Sequence, residues 1–285
     1  MSHAEVLVTG AAGKTGLAVL RAVARRGKAA RALVHRGDQA APAHQAGAVQ
    51  VAVGDLLDSA ALRSAMQGVR AVYLICPNVH YQETEIGQAA ILAAQAAGVE
   101  HFVYHSVLLP AVAAMPHHWQ KHLVEQSLQA SGLPYTSLQP ASYMQNVLPY
   151  WESIRSGLYR VPHSLEAIFT PVDLEDVAEV AATVLASPVE YTGRVLPLAG
   201  PERLSSEQMA AEMAAQLGRP VRAEAQPLAD WAAAANGLSD YASHALQRMF
   251  AYYDVHGFAG EGTVLQATLG RPPQTFRGFL SRLAN

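Results

Sequence analysis

The stretch VLVTGAAGKTG, residues 6–16, constrains the fold more than any other part of this chain. A short aliphatic run meets glycines spaced Gly-x-x-Gly-x-x-Gly, and an apolar pattern of helical period follows at once. Strand, tight turn and helix in that order open a β-α-β unit. In such a unit Gly10 permits the turn, Gly13 lets backbone approach a pyrophosphate, and Gly16 lets the helix pack on the strand. Ala12, Lys14 and Thr15 complete the loop as candidate cofactor contacts, with the anion resting on the helix N-terminus. The bland alternative is a loop that only turns a corner. A triphosphate loop is excluded, because two residues rather than four separate the glycines ahead of Lys14 and Thr15.

The β-α rhythm then repeats. Periodicity predicts strands at 5–9, 29–35, 49–53, 71–75, 101–106 and 134–138, with helices at 14–26, 38–46, 59–67, 81–98 and 118–131 between them. Gly27, Gly47, Gly68, Gly98 and Gly132 close those helices. Right-handed crossovers between parallel strands make this an α/β, doubly wound parallel Rossmann sheet. Beyond residue 140 the pattern predicts a helix at 142–156, a strand at 167–171, a helix at 173–187, a strand at 194–199, and helices at 205–217 and about 228–252. The expected organisation is a dinucleotide-binding domain over 1–140, joined again by about 165–200, and a smaller α+β lobe over 141–285 that closes a cleft.

Composition narrows the function classes. Charged residues make up 15% of the chain and the formal charge is −3, which leaves no electrostatic footprint for nucleic acid or an acidic membrane. Cys76 is the single cysteine, so neither an intrachain disulfide framework nor a cysteine-based zinc site can form. No signal peptide and no run of 18 apolar residues is read, so a soluble, cytoplasmic protein is expected. Apolar helix faces leave a homodimer open.

The second strand ends in RALVHRGD, where an NAD-preferring protein would place a carboxylate. His35 and Arg36 stand there instead. The planar fork of Arg36 suits a 2′-phosphate and favours NADP(H), with Lys14 as a second cation; Asp38 leaves NAD(H) open, and a solvated arginine is the plain alternative. After the third strand, Asp55 and Leu56 reach the adenine end, Asp55 either accepting from the adenine amino group or capping the next helix. Asp58 and Ser59 are better placed as caps.

With those residues read, the chain resembles the NmrA-like members of the atypical short-chain dehydrogenase/reductase superfamily over roughly residues 5–200. The resemblance rests on VTGAAGKTG, RALVHR, GDLLDSAALRSAMQGVRAVYLICP, KHLVEQSLQASGLPYTSLQP followed by SYMQN, and FTPVDLEDVAEVAATVL. It implies a Rossmann domain, a C-terminal lobe, NADP(H) preference and a cleft between them. It also implies that Cys76 and Pro77 pass the nicotinamide ribose, that Ser106 stands at the superfamily's hydroxyl position, and that Lys121 bonds the ribose hydroxyls. The superfamily's Tyr-x-x-x-Lys is altered: four residues before Lys121 stands His117, and Gln139-Pro140 replaces Arg-Pro. Carbonyl reduction through a tyrosine is thereby in doubt, whereas hydride transfer to a conjugated acceptor such as a quinone is not. The proton would come from His117, Ser106, Tyr143 or solvent. Tyr143 and Asn146 are expected near the nicotinamide or, alternatively, in core and cap roles.

Two rival readings follow from the same residues. Some NmrA-like proteins sense the dinucleotide without catalysis and pass its redox state to a protein partner, and the missing tyrosine suits that role. Epimerisation of a nucleotide sugar, known among extended relatives, relies on the absent tyrosine. No metal site is expected: His118 and His122 share a helix face, but no His-Glu-x-x-His pattern or third ligand accompanies them. Nor is there a Gly-x-Ser-x-Gly turn for a serine hydrolase. The cleft wall is expected among Trp119, Trp151, Trp231, Tyr252 and Tyr253.

Overall fold

The computed structural model describes residues 4–283. The first half of the chain alternates without exception: β1 (Val6–Val8), α1 (Lys14–Arg25), β2 (Ala30–Val34), α2 (Ala40–Gln45), β3 (Ala48–Val53), α3 (Ser59–Met66), β4 (Ala71–Leu74), α4 (Glu83–Ala97), β5 (His101–His105), α5 (Pro116–Ala130) and β6 (Tyr135–Pro140). The second half adds α6 (Trp151–Arg155), β7 (Leu158–Val161), α7 (Leu174–Ala186), α8 (Pro188–Tyr191), β8 (Arg194–Leu198), α9 (Ser206–Leu217), β9 (Arg222–Ala225), α10 (Leu228–Ala234), α11 (Asp240–His256), α12 (Thr263–Leu269) and α13 (Phe276–Leu283).

Among the described residues one seven-stranded sheet runs β3-β2-β1-β4-β5-β6-β8, and every pairing in it is parallel. Side chains alternate across it. Val6 and Val8 of β1, with Tyr73 of β4, face a core shared with α1, α2 and α7. Leu7, Val72, Leu74, Phe102 and Tyr104 face the opposite core, filled by α3, α4 and α5. Period-two alternation between two apolar layers is what a parallel sheet covered on both faces requires. The strand order reverses between β1 and β4, and the crevice at that switch point is where doubly wound sheets bind ligands. Thr9 pins it: its hydroxyl donates to the Ile75 carbonyl at 2.9 Å and accepts from the Ile75 amide at 2.8 Å.

The expected doubly wound Rossmann sheet is present, and β8 joins it as its seventh strand. The later segments differ from expectation in three places. The predicted helix at 142–156 is a 3₁₀ stretch, Met144–Tyr150, followed by α6. Pro149 lies inside that stretch and has no N–H to continue an α-helix. The predicted strand at 167–171 reduces to isolated bridges from Phe169 to Leu204 and Phe258. The predicted helix at 228–252 is two helices, α10 and α11, separated where Gly237 takes φ +79° and Ser239 caps α11 by accepting from the Ala242 amide. A small parallel pair, β7 and β9, joins the later segments to one another.

Candidate active site

The glycine loop has the stereochemistry of a phosphate cradle. Gly10 sits at φ +55°, a conformation that side chains disfavour. A Cβ on Gly16 would fall 2.4 Å from the Gly10 carbonyl oxygen, and one on Gly13 would fall 3.3 Å from the same atom. The spacing of the glycines therefore records close backbone packing between loop and α1. Gly13 is the N-cap residue of α1 and offers no side-chain cap, so the first amides of the helix face outward for an anion. These residues fit a dinucleotide pyrophosphate.

From this loop a cavity of ≈ 1130 Å³ extends across the carboxyl ends of the strands. Every sequence-predicted site residue except Arg36 lines it: Gly10, Ala12, Gly13, Lys14, Thr15 and Gly16 at the loop; His35, Asp55 and Leu56 beyond β2 and β3; Cys76 and Pro77 after β4; and Ser106, His117, Lys121, Pro140 and Tyr143 opposite. Arg36 lies just outside, exposed, with Nε and Nη2 each donating to Asp38 at 3.1 Å. Asp55 accepts from the Leu57 amide at 2.8 Å in a turn, while Asp58 caps α3 through the Ala60 and Ala61 amides. Lys14 donates to Asn146 Oδ1 at 2.9 Å, its ammonium 5.4 Å from the Tyr143 ring centre.

Sequence reasoning missed the residue on which the far side of the site is built. Glu83, at the start of α4, is wholly buried. Its Oε1 accepts from Lys121 Nζ at 2.5 Å and from the Tyr104 hydroxyl at 2.9 Å, while its Oε2 stands 3.6 Å from His117 Nδ1. Lys121 also donates to the His105 carbonyl at 3.2 Å. The ammonium at the cavity wall is thus fixed by one carboxylate and one strand end. Burial first, and the Lys121 charge second, push His117 well below its usual range, so it is neutral at physiological pH. The only sequence signal for Glu83 was an acidic residue opening a helix beside the cofactor, which describes many helices.

On the other face of β5 lies a second network. His105 Nδ1 meets the Tyr73 hydroxyl at 2.7 Å and His105 Nε2 meets the Tyr143 hydroxyl at 2.6 Å. Burial brings the His105 pKa down to about 3, so the ring is neutral and only one of its nitrogens carries a proton. Tyr73 is fully buried, and His105 is the hydrogen-bond partner of its hydroxyl. Were Nδ1 the donor, the Tyr73 O–H would be orphaned in an apolar core at a cost of about 1–3 kcal/mol. That penalty assigns the Tyr73 O–H as donor to Nδ1, hence the Nε2–H tautomer and a bond from Nε2 to the Tyr143 oxygen.

The other histidines of the segment 101–122 have partners of their own. His101 pairs with Thr136 at 2.9 Å. His118 lies between the Leu109 carbonyl, at 3.2 Å, and the Tyr253 hydroxyl, at 3.3 Å, while His122 packs on Trp119. Among the described residues no group of three His, Cys, Asp or Glu side chains is arranged to hold a metal ion. No helix among them is long and apolar enough to cross a membrane. Of the aromatic residues expected at the cleft, Trp231 and Tyr253 line it, joined by Phe169, Phe250 and Phe258. Trp119, Trp151 and Tyr252 lie elsewhere, Tyr252 against His256 at 4.4 Å.

A family model described as the NmrA-like family matches residues 2–278. The chain belongs to the NmrA-like family. This NmrA-like protein is 33% identical to an NAD(P)H azoreductase of Xenophilus azovorans, with 96% of each chain covered. Its structure is similar to that of the NADPH-dependent quinone oxidoreductase of Escherichia coli complexed with NADPH. The TM-score is 0.87 at 28% identity, covering 98% of this chain and 100% of that one. It also shares the fold of NmrA, a negative transcriptional regulator solved in complex with NAD. There the TM-score is 0.82 at 19% identity, over 99% of this NmrA-like chain and 96% of the other.

Proposed function

We propose that this protein is an NAD(P)H-dependent oxidoreductase that prefers NADPH, accepts NADH, and passes hydride to a small conjugated acceptor of the quinone type. The observation that carries the reading is one continuous cavity lined by a glycine cradle, an anchored ammonium and an aromatic wall. Bound NAD(P)H supplies the hydride. The names of the azoreductase and of the quinone oxidoreductase support an acceptor with conjugated double bonds.

Roles follow from position. The backbone of Gly10, Ala12, Gly13, Thr15 and Gly16 holds the pyrophosphate, and His35, Asp55 and Leu56 take the adenosine end. Arg36 exchanges Asp38 for the 2′-phosphate, a doubly charged partner that a guanidinium fork fits as well. Cys76, Pro77 and Pro140 pass the nicotinamide ribose, and Lys121, held by Glu83, donates to its hydroxyls. Phe250, Trp231 and Tyr253 line the aromatic end of the cavity, Phe250 meeting the other two edge to face, and a conjugated ring packs among them.

Fluorescence titration with NADPH and NADH, followed by a panel of quinones and azo dyes and measurement of NADPH absorbance, tests the reading. Tighter binding of NADPH with acceptor-dependent loss of absorbance is expected. Binding without turnover on any acceptor would replace the enzyme by a dinucleotide sensor, and absence of binding would reject both.

A further inference from the structure

We infer that Tyr143 is the proton donor to the reduced acceptor, and that Tyr73 and His105 are positioning residues that turn its O–H toward the cavity. The inference rests on the oxidoreductase reading above. Tyr143 lines the cavity and is half-buried, while the oxygen of its hydroxyl meets His105 Nε2 at 2.6 Å. In the Nε2–H tautomer fixed by Tyr73, that oxygen accepts from the imidazole, so the tyrosine's own hydrogen is left to point elsewhere. The Thr15 hydroxyl also neighbours that oxygen, and both side chains line the cavity.

The other candidates are less suited. His117 is neutral, and its Nδ1 is turned to the Glu83 carboxylate at 3.6 Å. Ser106 is buried, and its alkoxide would form beside the Glu125 carboxylate. Tyr143 alone leaves behind an oxygen that the protein is built to receive. The imidazole N–H donates to it, the Thr15 hydroxyl beside it favours the ionised form, and the Lys14 ammonium stands 5.4 Å from its ring. Burial meanwhile raises its pKa, so the hydroxyl stays protonated until the acceptor has become a strong base.

The step balances. The acceptor gains one hydrogen and two electrons as hydride from the reduced nicotinamide, and negative charge collects on its conjugated heteroatom. That atom takes the Tyr143 Oη proton, the tyrosine O–H bond breaking as the new bond forms. The phenolate keeps its hydrogen bond from His105 Nε2–H and regains a proton from solvent when the product leaves. No proton passes through His105 to Tyr73, because that route would end in a phenolate sealed in the core.

The test compares wild type, Tyr143→Phe and Tyr73→Phe at saturating NADPH, with 1,4-benzoquinone and methyl red as acceptors. NADPH affinity by fluorescence serves as the folding control. Tyr143→Phe is expected to bind NADPH normally, to lose roughly 10²-fold in kcat, and to lose the solvent deuterium isotope effect. Tyr73→Phe, whose altered atom lies outside the cavity, is expected to lower kcat with acceptor KM unmoved. In ¹⁵N spectra it should also shift His105 from a single Nε2–H form to a mixture of tautomers. Wild-type kcat and isotope effect in Tyr143→Phe overturn the assignment while leaving the oxidoreductase reading intact. No turnover by wild type on either acceptor overturns both. Should Tyr143→Phe fail to bind NADPH, Tyr73→Phe decides alone, and an unchanged tautomer with unchanged kcat rejects the proposal.

Discussion

Glu83 holds a carboxylate where no solvent reaches it, and Lys121 and Tyr104 occupy one of its two oxygens. Replacing it by glutamine keeps the shape and leaves a buried ammonium without its counter-charge. Breaking such a pair from one side destabilises by about 3–5 kcal/mol. Glu83→Gln should therefore lower the unfolding free energy in urea titrations by that margin and weaken NADPH binding. The double variant Glu83→Gln/Lys121→Met removes both charges and should recover much of the stability without recovering the affinity; equal stability of the single and double variants would contradict the coupling. A second expectation concerns Arg36, which is exposed and engaged with Asp38 rather than lining the cavity. A hydrogen bond to a charged group contributes about 1.5–3 kcal/mol. Arg36→Ala should thus cut the preference for NADPH over NADH by roughly 10- to 100-fold, measured as the ratio of the two dissociation constants. An unaltered ratio would mean that another group reads the 2′-phosphate.

The loop from β1 to α1 was legible in the sequence because its glycines answer to backbone geometry alone. Gly16→Ala places a Cβ 2.4 Å from the Gly10 carbonyl oxygen, and overpacking of this kind costs about 1–3 kcal/mol. That variant should retain its circular dichroism and lose NADPH binding in a fluorescence titration; normal binding would show that the loop adapts. The β-α alternation up to β6 was equally legible, since each element carries its own period and its own terminating glycine. The later elements were not. Strands β7 and β9 are four residues each, with Arg160 and Glu224 paired on the exposed side at 2.8 Å, so neither shows an apolar run. Helices α12 and α13 were missed as well, one of seven residues and the other of eight. At the site, spacing located the residues that line the cavity but not the pairing of Glu83 with Lys121, nor that of His105 with Tyr73. Those partners lie 38 and 32 residues apart, and only the β4-β5 register and the packing of α4 on α5 bring them together.

Across the whole molecule, four buried histidines tie stability to pH. Burial lowers His105 to about 3 and His101 and His118 to about 4, and it lowers His117 as well. In the unfolded chain each titrates near 6.5. The native state is then fully supported above that pH, and as pH falls from 6.5 toward 4 the unfolded state binds more protons and stability declines. The slope is about 1.4 kcal/mol per pH unit for each histidine. Glu125 and Asp176, which burial pushes upward, oppose the trend near its acid end. Urea midpoints should fall steeply between pH 6.5 and 4.5; a flat profile would mean that these rings are charged inside the fold. The aromatic wall has a consequence of a different kind. Apart from Phe169 and Phe258, its side chains Trp231, Leu246, Met249, Phe250 and Tyr253 belong to α10 and α11, whereas the cradle, the ammonium and the tyrosine-histidine pair come from the first 143 positions. On the proposed reading, substitutions confined to α10 and α11 are expected to change which dye or quinone is accepted while NADPH affinity, measured by fluorescence titration, stays the same.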